Sequence, residues 1–189
     1  QQVKEQLMGK SLADVFACEE GIRSDAYQAF DLALHDLAGC ILNVPVAKMI
    51  NPEAVSWVPM YDGAIYMNDL IPETKPAGVE KILEDCAYDI GLGHRALKIK
   101  IGRSRKHCPQ LRIADGESRT DIPLLTTLAE QGLLDVWQPD VCGYGFTAWR
   151  KLLKLLVEKG YVGSPHAWGY VAKTNCCAHL AAAYPQHIP

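Results

Sequence analysis

Between Leu97 and Ala183 short apolar runs alternate with amphipathic stretches, and no other feature constrains the fold as much. Leu97-Lys98-Ile99-Lys100-Ile101 alternates strictly and is rich in β-branched Ile, which predicts a strand. Further strands are expected at Leu111 to Ala114, Leu134 to Gln138 and Tyr161 to Ser164, with helices at Ile122 to Gln131, Thr147 to Lys159 and Val171 to Ala183. This order predicts an α/β chain of βα units around a parallel sheet, closed as a barrel or open and doubly wound. No GxGxxG follows a strand and no GxxxxGK[ST] occurs, so the usual dinucleotide and nucleotide signatures are missing.

Upstream, Tyr27, Phe30, Leu34, Leu37 and Ile41 recur at steps of three and four and predict one buried helix face, capped by Ser24 or Asp25 and ended by Asn43-Val44-Pro45. His35 and Asp36 read as a solvated polar edge of that helix. Trp57 to Tyr61 reads as a short strand with Asp62-Gly63 as a turn. Ala77 to Ile90 reads as a helix that buries Val79, Ile82, Leu83, Cys86 and Ile90.

With 49% hydrophobic and 22% charged residues the chain can bury a real core. A net charge of -3, with Lys and Arg scattered among acids, provides no basic field for a nucleic acid. The apolar runs stop well short of the roughly 20 residues that cross a bilayer, so no membrane partner is expected. Seven cysteines without CxxC spacing suggest reduced, mostly buried thiols rather than a disulfide framework or zinc cage. The opening Gln1-Gln2-Val3-Lys4 carries neither an initiator Met nor a signal segment, which makes a cytoplasmic address the expectation and hints at a longer gene product.

Four groups of residues could carry chemistry. The period of two places Lys98 and Lys100 on one strand face, about 7 Å apart. Crowded, partly desolvated ammonium groups are how a lysine becomes a usable base, although charges also protect exposed strand edges. Ala114-Asp115-Gly116-Glu117, Gln138-Pro139-Asp140 and Ser164-Pro165-His166 each place polar residues directly after a short apolar strand, where barrel active sites are assembled. Taken singly, Glu117, Asp140 and His166 could equally be caps or solvated loop residues.

In combination these motifs resemble the mandelate-racemase branch of the enolase superfamily. Lys98-Ile99-Lys100 resembles its K-x-K signature, and Ala114-Asp115-Gly116-Glu117 its strand-end Glu. Gln138-Pro139-Asp140 through Thr147-Ala148-Trp149-Arg150 resembles its Asp and Gly-rich turn, and Ser164-Pro165-His166 its catalytic-His strand. Ala29 to Gly39, with Val44-Pro45, is similar to the helix that closes its N-terminal capping domain.

The resemblance implies a partial (β/α)8-type barrel at residues 53–189, a remnant of an α+β capping domain at 1–52, and a homo-oligomer. It implies Mg²⁺-dependent removal of the α-proton of a carboxylate substrate, most often dehydration of an acid sugar, with racemisation as the alternative. In that scheme Lys100 is one base and Lys98 its helper at the carboxylate. His166 is the acid or base of the opposite face, Asp140 orients it, and Glu117 is a magnesium ligand. Arg103, Asp115 and Trp168 lie near these motifs and are candidate substrate contacts.

The chain also departs from the pattern. From Lys100 to Glu117 is 117 − 100 = 17 positions, whereas one βαβ unit takes roughly 30 residues. The two strands that bring the family's other magnesium carboxylates therefore have no room. Residues 103–110 contain no Asp or Glu, and His107 and Cys108 do not suit magnesium. Five strands are expected from Trp57 onward, where a barrel uses eight and about 250 residues. The expectation is an incomplete record of an enzyme, or a shortened and possible non-catalytic relative that completes its sheet with a partner.

Overall fold

The computed structural model describes residues 2–66, 79–100, 110–118 and 120–187. The chain opens with the short helices α1 (Gln2–Glu5) and α2 (Leu12–Val15), the antiparallel pair β1 (Phe16–Ala17) and β2 (Gly21–Ile22), and a 3-10 segment, Asp25–Phe30. Helices α3 (Asp31–Leu42) and α4 (Val46–Ile50) follow, then β3 (Asp62–Tyr66), α5 (Val79–Gly91) and β4 (Leu97–Lys100). The remainder alternates: β5 (Ala114–Asp115), α6 (Ile122–Glu130), β6 (Val136–Trp137), α7 (Val141–Lys159), β7 (Val162–Gly163) and α8 (Val171–Ala183).

Contacts divide these elements into two compact units, Gln1–Val58 with Arg112–Pro189, and Pro59–Leu111. In the first unit β5, β6 and β7 form a parallel sheet in that order, with Ala114 beside Val136 and Val136 beside Val162. The backbone N–H of Gly163 donates to the carbonyl of His187 at 2.7 Å, so the outer edge of β7 is also engaged. Parallel strands must be joined by crossovers, and α6 and α7 are those crossovers. In the second unit β3 and β4 are parallel, with Ile65 beside Ile99 and Tyr66 beside Lys100.

The core of the first unit lies between the β5–β6–β7 sheet and α7. Trp137, Trp149, Leu153, Leu156 and Leu180 are essentially inaccessible to solvent. Burial of this much aromatic surface is the main stabilising term here. It outweighs the cost of two indole N–H groups, on Trp137 and Trp149, that meet no acceptor among the described residues.

Several sequence expectations need correction. The helix expected from Tyr27 is a 3-10 segment up to Phe30 and α-helical only from Asp31. Three residues per turn followed by 3.6 shifts the phase of the buried stripe. It therefore runs through Asp31, Leu34, His35 and Ala38, while Leu37 and Ile41 are exposed. The αL conformation of Asn43 closes α3 ahead of Pro45. His35 is fully buried, against the expectation of a solvated edge.

Trp57 to Tyr61 is not a strand, because Pro59 removes a ladder donor from the run. The strand begins instead at Asp62-Gly63, the expected turn. In α5 only Ile82 is buried, with Val79, Leu83 and Ile90 exposed; Ala77 and Gly78 lie outside the described residues. The strand expected at Leu111 begins at Ala114. The helix expected at Thr147 to Lys159 is the longer part of α7, which a kink at the non-helical Gly145 separates from a first turn beginning at Val141. The thiols at Cys18, Cys40, Cys86, Cys142, Cys176 and Cys177 are free, but none is fully buried. No helix among the described residues is long and apolar enough to cross a membrane.

Candidate active site

The parallel sheet places its chemistry where β6 and β7 end. Past Trp137 and Gly163 the two chains stay paired: Ser164 N donates to Trp137 O at 2.8 Å, His166 N to Pro139 O at 3.0 Å, and Val141 N to His166 O at 3.1 Å. An isolated parallel bridge thus sets Asp140 beside His166. Pro139 and Pro165 precede them in both chains and hold the extended backbone without needing donors of their own.

Asp140 is also the N-cap of α7. Its Oδ1 accepts from the backbone N–H groups of Cys142 at 2.9 Å and Gly143 at 3.0 Å. Its Oδ2 faces Nδ1 of His166 at 3.2 Å and Nζ of Lys173, on α8, at 3.0 Å. Partial burial works against ionisation of this carboxylate. The donors from Gly143, Lys173, His166 and Cys142 outweigh it and bring the Asp140 pKa down to about 2. The same hydrogen bond raises the Lys173 pKa.

The other ring nitrogen of His166 meets Glu117: Nε2 and Oε1 are 3.2 Å apart. Glu117 arrives there through Gly116, whose φ of +113° lets the chain turn immediately after β5. The His166 side chain is 5% exposed and that of Glu117 is 48% exposed, so the imidazole is buried with a half-exposed carboxylate at its Nε2. A neutral imidazole donates to only one of its two carboxylates; a protonated one donates to both. Burial raises the pKa of the neighbouring Cys142, and that of Cys177 to about 12, which disfavours the thiolate at both.

Asp115 is exposed, and its Oδ1 accepts from the N–H of the next residue, Gly116, at 2.7 Å. Trp168 is 68% exposed. Arg103 lies outside the described residues, as do Ile101, His107 and Cys108. Lys98 and Lys100 belong to the second unit. There the ammonium of Lys98 stands 6.0 Å from the ring centre of Tyr61, and that of Lys100 5.0 Å from the ring centre of Tyr66 and 3.4 Å from its hydroxyl. These are cation–π contacts on a half-buried strand.

Two sets of residues were not anticipated. Lys173 has no motif around it, yet it carried a signal: a cation in the first turn of a helix opposes the dipole, and the first turn of α8 has no acid to offset it. The second set is a buried cluster. Asp31 accepts from the backbone N–H of Thr147 at 2.9 Å, from its hydroxyl, and from His35, whose Nδ1 is 3.3 Å away. Arg150 lies 3.5 Å from His35 Nε2 and donates to the carbonyl of Glu19 at 2.7 Å. Nothing in one local stretch points to contacts more than 100 residues apart.

The family model for enolase C-terminal domain-like proteins matches residues 81–189 of this sequence. The chain belongs to that family. Its membership of the mandelate racemase and enolase superfamily agrees with the fold found among solved structures. Galacturonate dehydratase from Geobacillus sp., solved with D-galacturonate and 5-keto-4-deoxy-D-galacturonate, is 22% identical with a TM-score of 0.73, over 95% of this chain and 68% of that one.

A mandelate racemase/muconate lactonizing protein from Geobacillus sp. Y412MC10, complexed with magnesium and tartrate, is 20% identical with a TM-score of 0.66, over 95% and 67%. An enolase superfamily member from Salmonella Typhimurium is 16% identical with a TM-score of 0.67, over 98% and 69%. At these identities the likeness establishes the fold: this enolase-family chain is an α/β protein resembling the superfamily's C-terminal barrel domain. No curated protein matches it.

The protein from Geobacillus sp. Y412MC10 was complexed with magnesium. Magnesium takes near-octahedral oxygen coordination. Among the described residues no group of three His, Cys, Asp or Glu side chains is placed to hold a metal ion, and Glu117, the expected ligand, is turned onto His166. The described donor set does not fit the ion.

Proposed function

We propose that this chain carries the proton-transfer half of an enolase-superfamily active site, acting on the carbon next to the carboxylate of a sugar acid. The observation that supports this reading is His166, buried at the strand ends between Asp140 and the half-exposed Glu117. Asp140 holds Nδ1 and thereby directs Nε2 toward Glu117. Nε2 is the nitrogen that takes or gives the proton.

In the favoured reaction, dehydration, the α-proton leaves to a base and its electron pair forms the Cα–Cβ double bond. The Cβ–O bond breaks, the departing hydroxyl takes a proton from His166, and the enol ketonises to a 2-keto-3-deoxy acid with net loss of water. Lys100, helped by Lys98, is proposed as the partner base, and Arg103, Asp115 and Trp168 as substrate contacts. This half of the assignment rests on the sequence pattern. D-galacturonate is the first substrate to try, because it was bound to a dehydratase of the same fold.

With racemisation instead of elimination, one of Lys100 and His166 takes the proton from one face and the other returns a proton to the opposite face. We further propose a partial barrel with a capping remnant at 1–52, a cytoplasmic address, and a homo-oligomer that covers β5, whose two residues are exposed.

The test is to incubate the chain with a panel of sugar acids, with and without Mg²⁺, and to follow 2-keto-3-deoxy acid formation and optical rotation. Product with the natural chain and none with His166→Asn supports dehydration. Rotation change without product favours racemisation. One observation favours a second reading, a non-catalytic relative: the described donors do not suit magnesium. No turnover of any acid, together with no Mg²⁺ heat in calorimetry, would establish that reading instead.

A further inference from the structure

The mechanism above leaves Lys173 without a task, although its ammonium lies 3.0 Å from the same Asp140 oxygen that faces His166. We propose that Lys173 is a positioning residue of the His166 centre: it anchors Oδ2 of Asp140, so that the carboxylate stays turned on Nδ1 of His166 and Nε2 remains the working nitrogen. The inference rests on the acid–base reading of that centre.

The argument is geometric. Both backbone bonds to Asp140, from Cys142 and Gly143, end on Oδ1. Two bonds to one oxygen leave the carboxylate free to swing about it. A second anchor on Oδ2 fixes its plane, and Lys173 is that anchor. His166 cannot do this alone, because its ring is the thing to be oriented and its other nitrogen is drawn toward Glu117. With only one of the two carboxylates satisfied by a neutral ring, the tautomer depends on which holds its hydrogen bond more firmly.

Lys173 borders a cleft of about 550 Å³ together with Val46, Cys142, Phe146, Cys176 and His179, and its ammonium is directed onto Asp140. The ammonium sits in the first turn of α8, where the helix dipole disfavours a cation and no acidic neighbour on that turn offsets it. Asp140, ionised down to a pKa of about 2, is the partner that makes the position tenable. A lysine that merely decorated the surface would have no reason to occupy this turn and direct its head back to the strand ends.

The test is nitrogen-15 NMR of the full chain with labelled histidine, at a pH where the His166 ring is neutral. In the natural chain the Nδ1–H form should dominate. Lys173→Met and Lys173→Gln should each lower the ratio of Nδ1–H to Nε2–H by about threefold, the size expected from losing a partly exposed ion pair, and Lys173→Arg should restore it. Thermal melts of all three confirm that the fold is kept; if one neutral variant unfolds, the other carries the test. An unchanged ratio in the folded neutral variant would overturn the proposal, and so would a ratio that Arg fails to restore, which places the effect in the packing of α8. The readout needs no substrate. A natural chain that shows the tautomer pattern but turns over no acid sinks the functional reading and leaves the positioning role standing.

Discussion

The larger unit of this chain contains two aspartate–histidine pairs, and their surroundings differ. Asp31 and His35 are fully enclosed, in contact with Thr147, Arg150 and the Asp31 backbone carbonyl. Asp140 and His166 have a third member, Glu117, at the other ring nitrogen of His166. His35 is buried among protein groups on every side, whereas His166 borders a carboxylate that is 48% exposed. The same two residue types therefore form a clasp between α3 and α7 in one place and the proposed acid–base centre in the other. Exposure of the neighbouring carboxylate makes the difference, not the pair itself.

The strongest way to break the comparison is to remove each aspartate. Asp31→Ala strips Thr147 and His35 of a buried acceptor and should cost about 3 kcal/mol or more. Asp140→Ala removes a helix N-cap at a partly exposed site and should cost about 1 kcal/mol. Urea denaturation of the two variants checks the ranking; equal losses would remove the distinction between clasp and centre. Next in size is Gly145→Ala. Gly145 has φ +81°, and an added Cβ would stand 2.5 Å from Asp31 Oδ2 and 2.7 Å from Gln28 Nε2. A loss of about 1–3 kcal/mol is expected, seen as a lower denaturation midpoint, with the His166 signals unmoved.

Acid should act on both pairs in the same direction. Burial works against the charge on Asp31, but hydrogen bonds from His35 and Thr147 win and lower its pKa below 3.8. Asp140 is lowered from 3.8 to about 2. A carboxylate whose folded pKa is depressed stabilises the fold fully above its unfolded value and loses that contribution as pH falls through the folded one. Stability should therefore decline between pH 3.8 and about 2, and Asp140→Asn should make the decline shallower. Melts recorded across that window decide it. The smallest effect expected is that of magnesium: the heat of titration should be near the detection limit, because the described donors do not form a metal site. Tight binding would show that the ion finds ligands elsewhere in the chain.

The two pairs were not equally legible in the sequence. Asp140 and His166 each follow a short apolar strand, and parallel neighbouring strands bring their ends together, so motif order alone placed them near one another. Asp31, His35, Thr147 and Arg150 meet only because α3 packs on α7, and no local period encodes that contact. The helix phase was misjudged for a related reason: a 3-10 turn ahead of α3 rotated the buried stripe away from Leu37 and Ile41. Pattern likewise could not foresee that Pro59 would push the first strand of the smaller unit on to Asp62. Lys173 was readable in principle, since a lone cation at a helix start asks for a partner.

The central claim is that His166 gives the departing hydroxyl its proton when a sugar acid loses water. Formation of the 2-keto-3-deoxy acid, followed by NMR with a panel of sugar acids, tests it most directly. The account predicts product with the natural chain, its loss in His166→Asn, and a reduced rate in Asp140→Asn. Product that forms unchanged with His166→Asn, or no product with any acid offered, would contradict it.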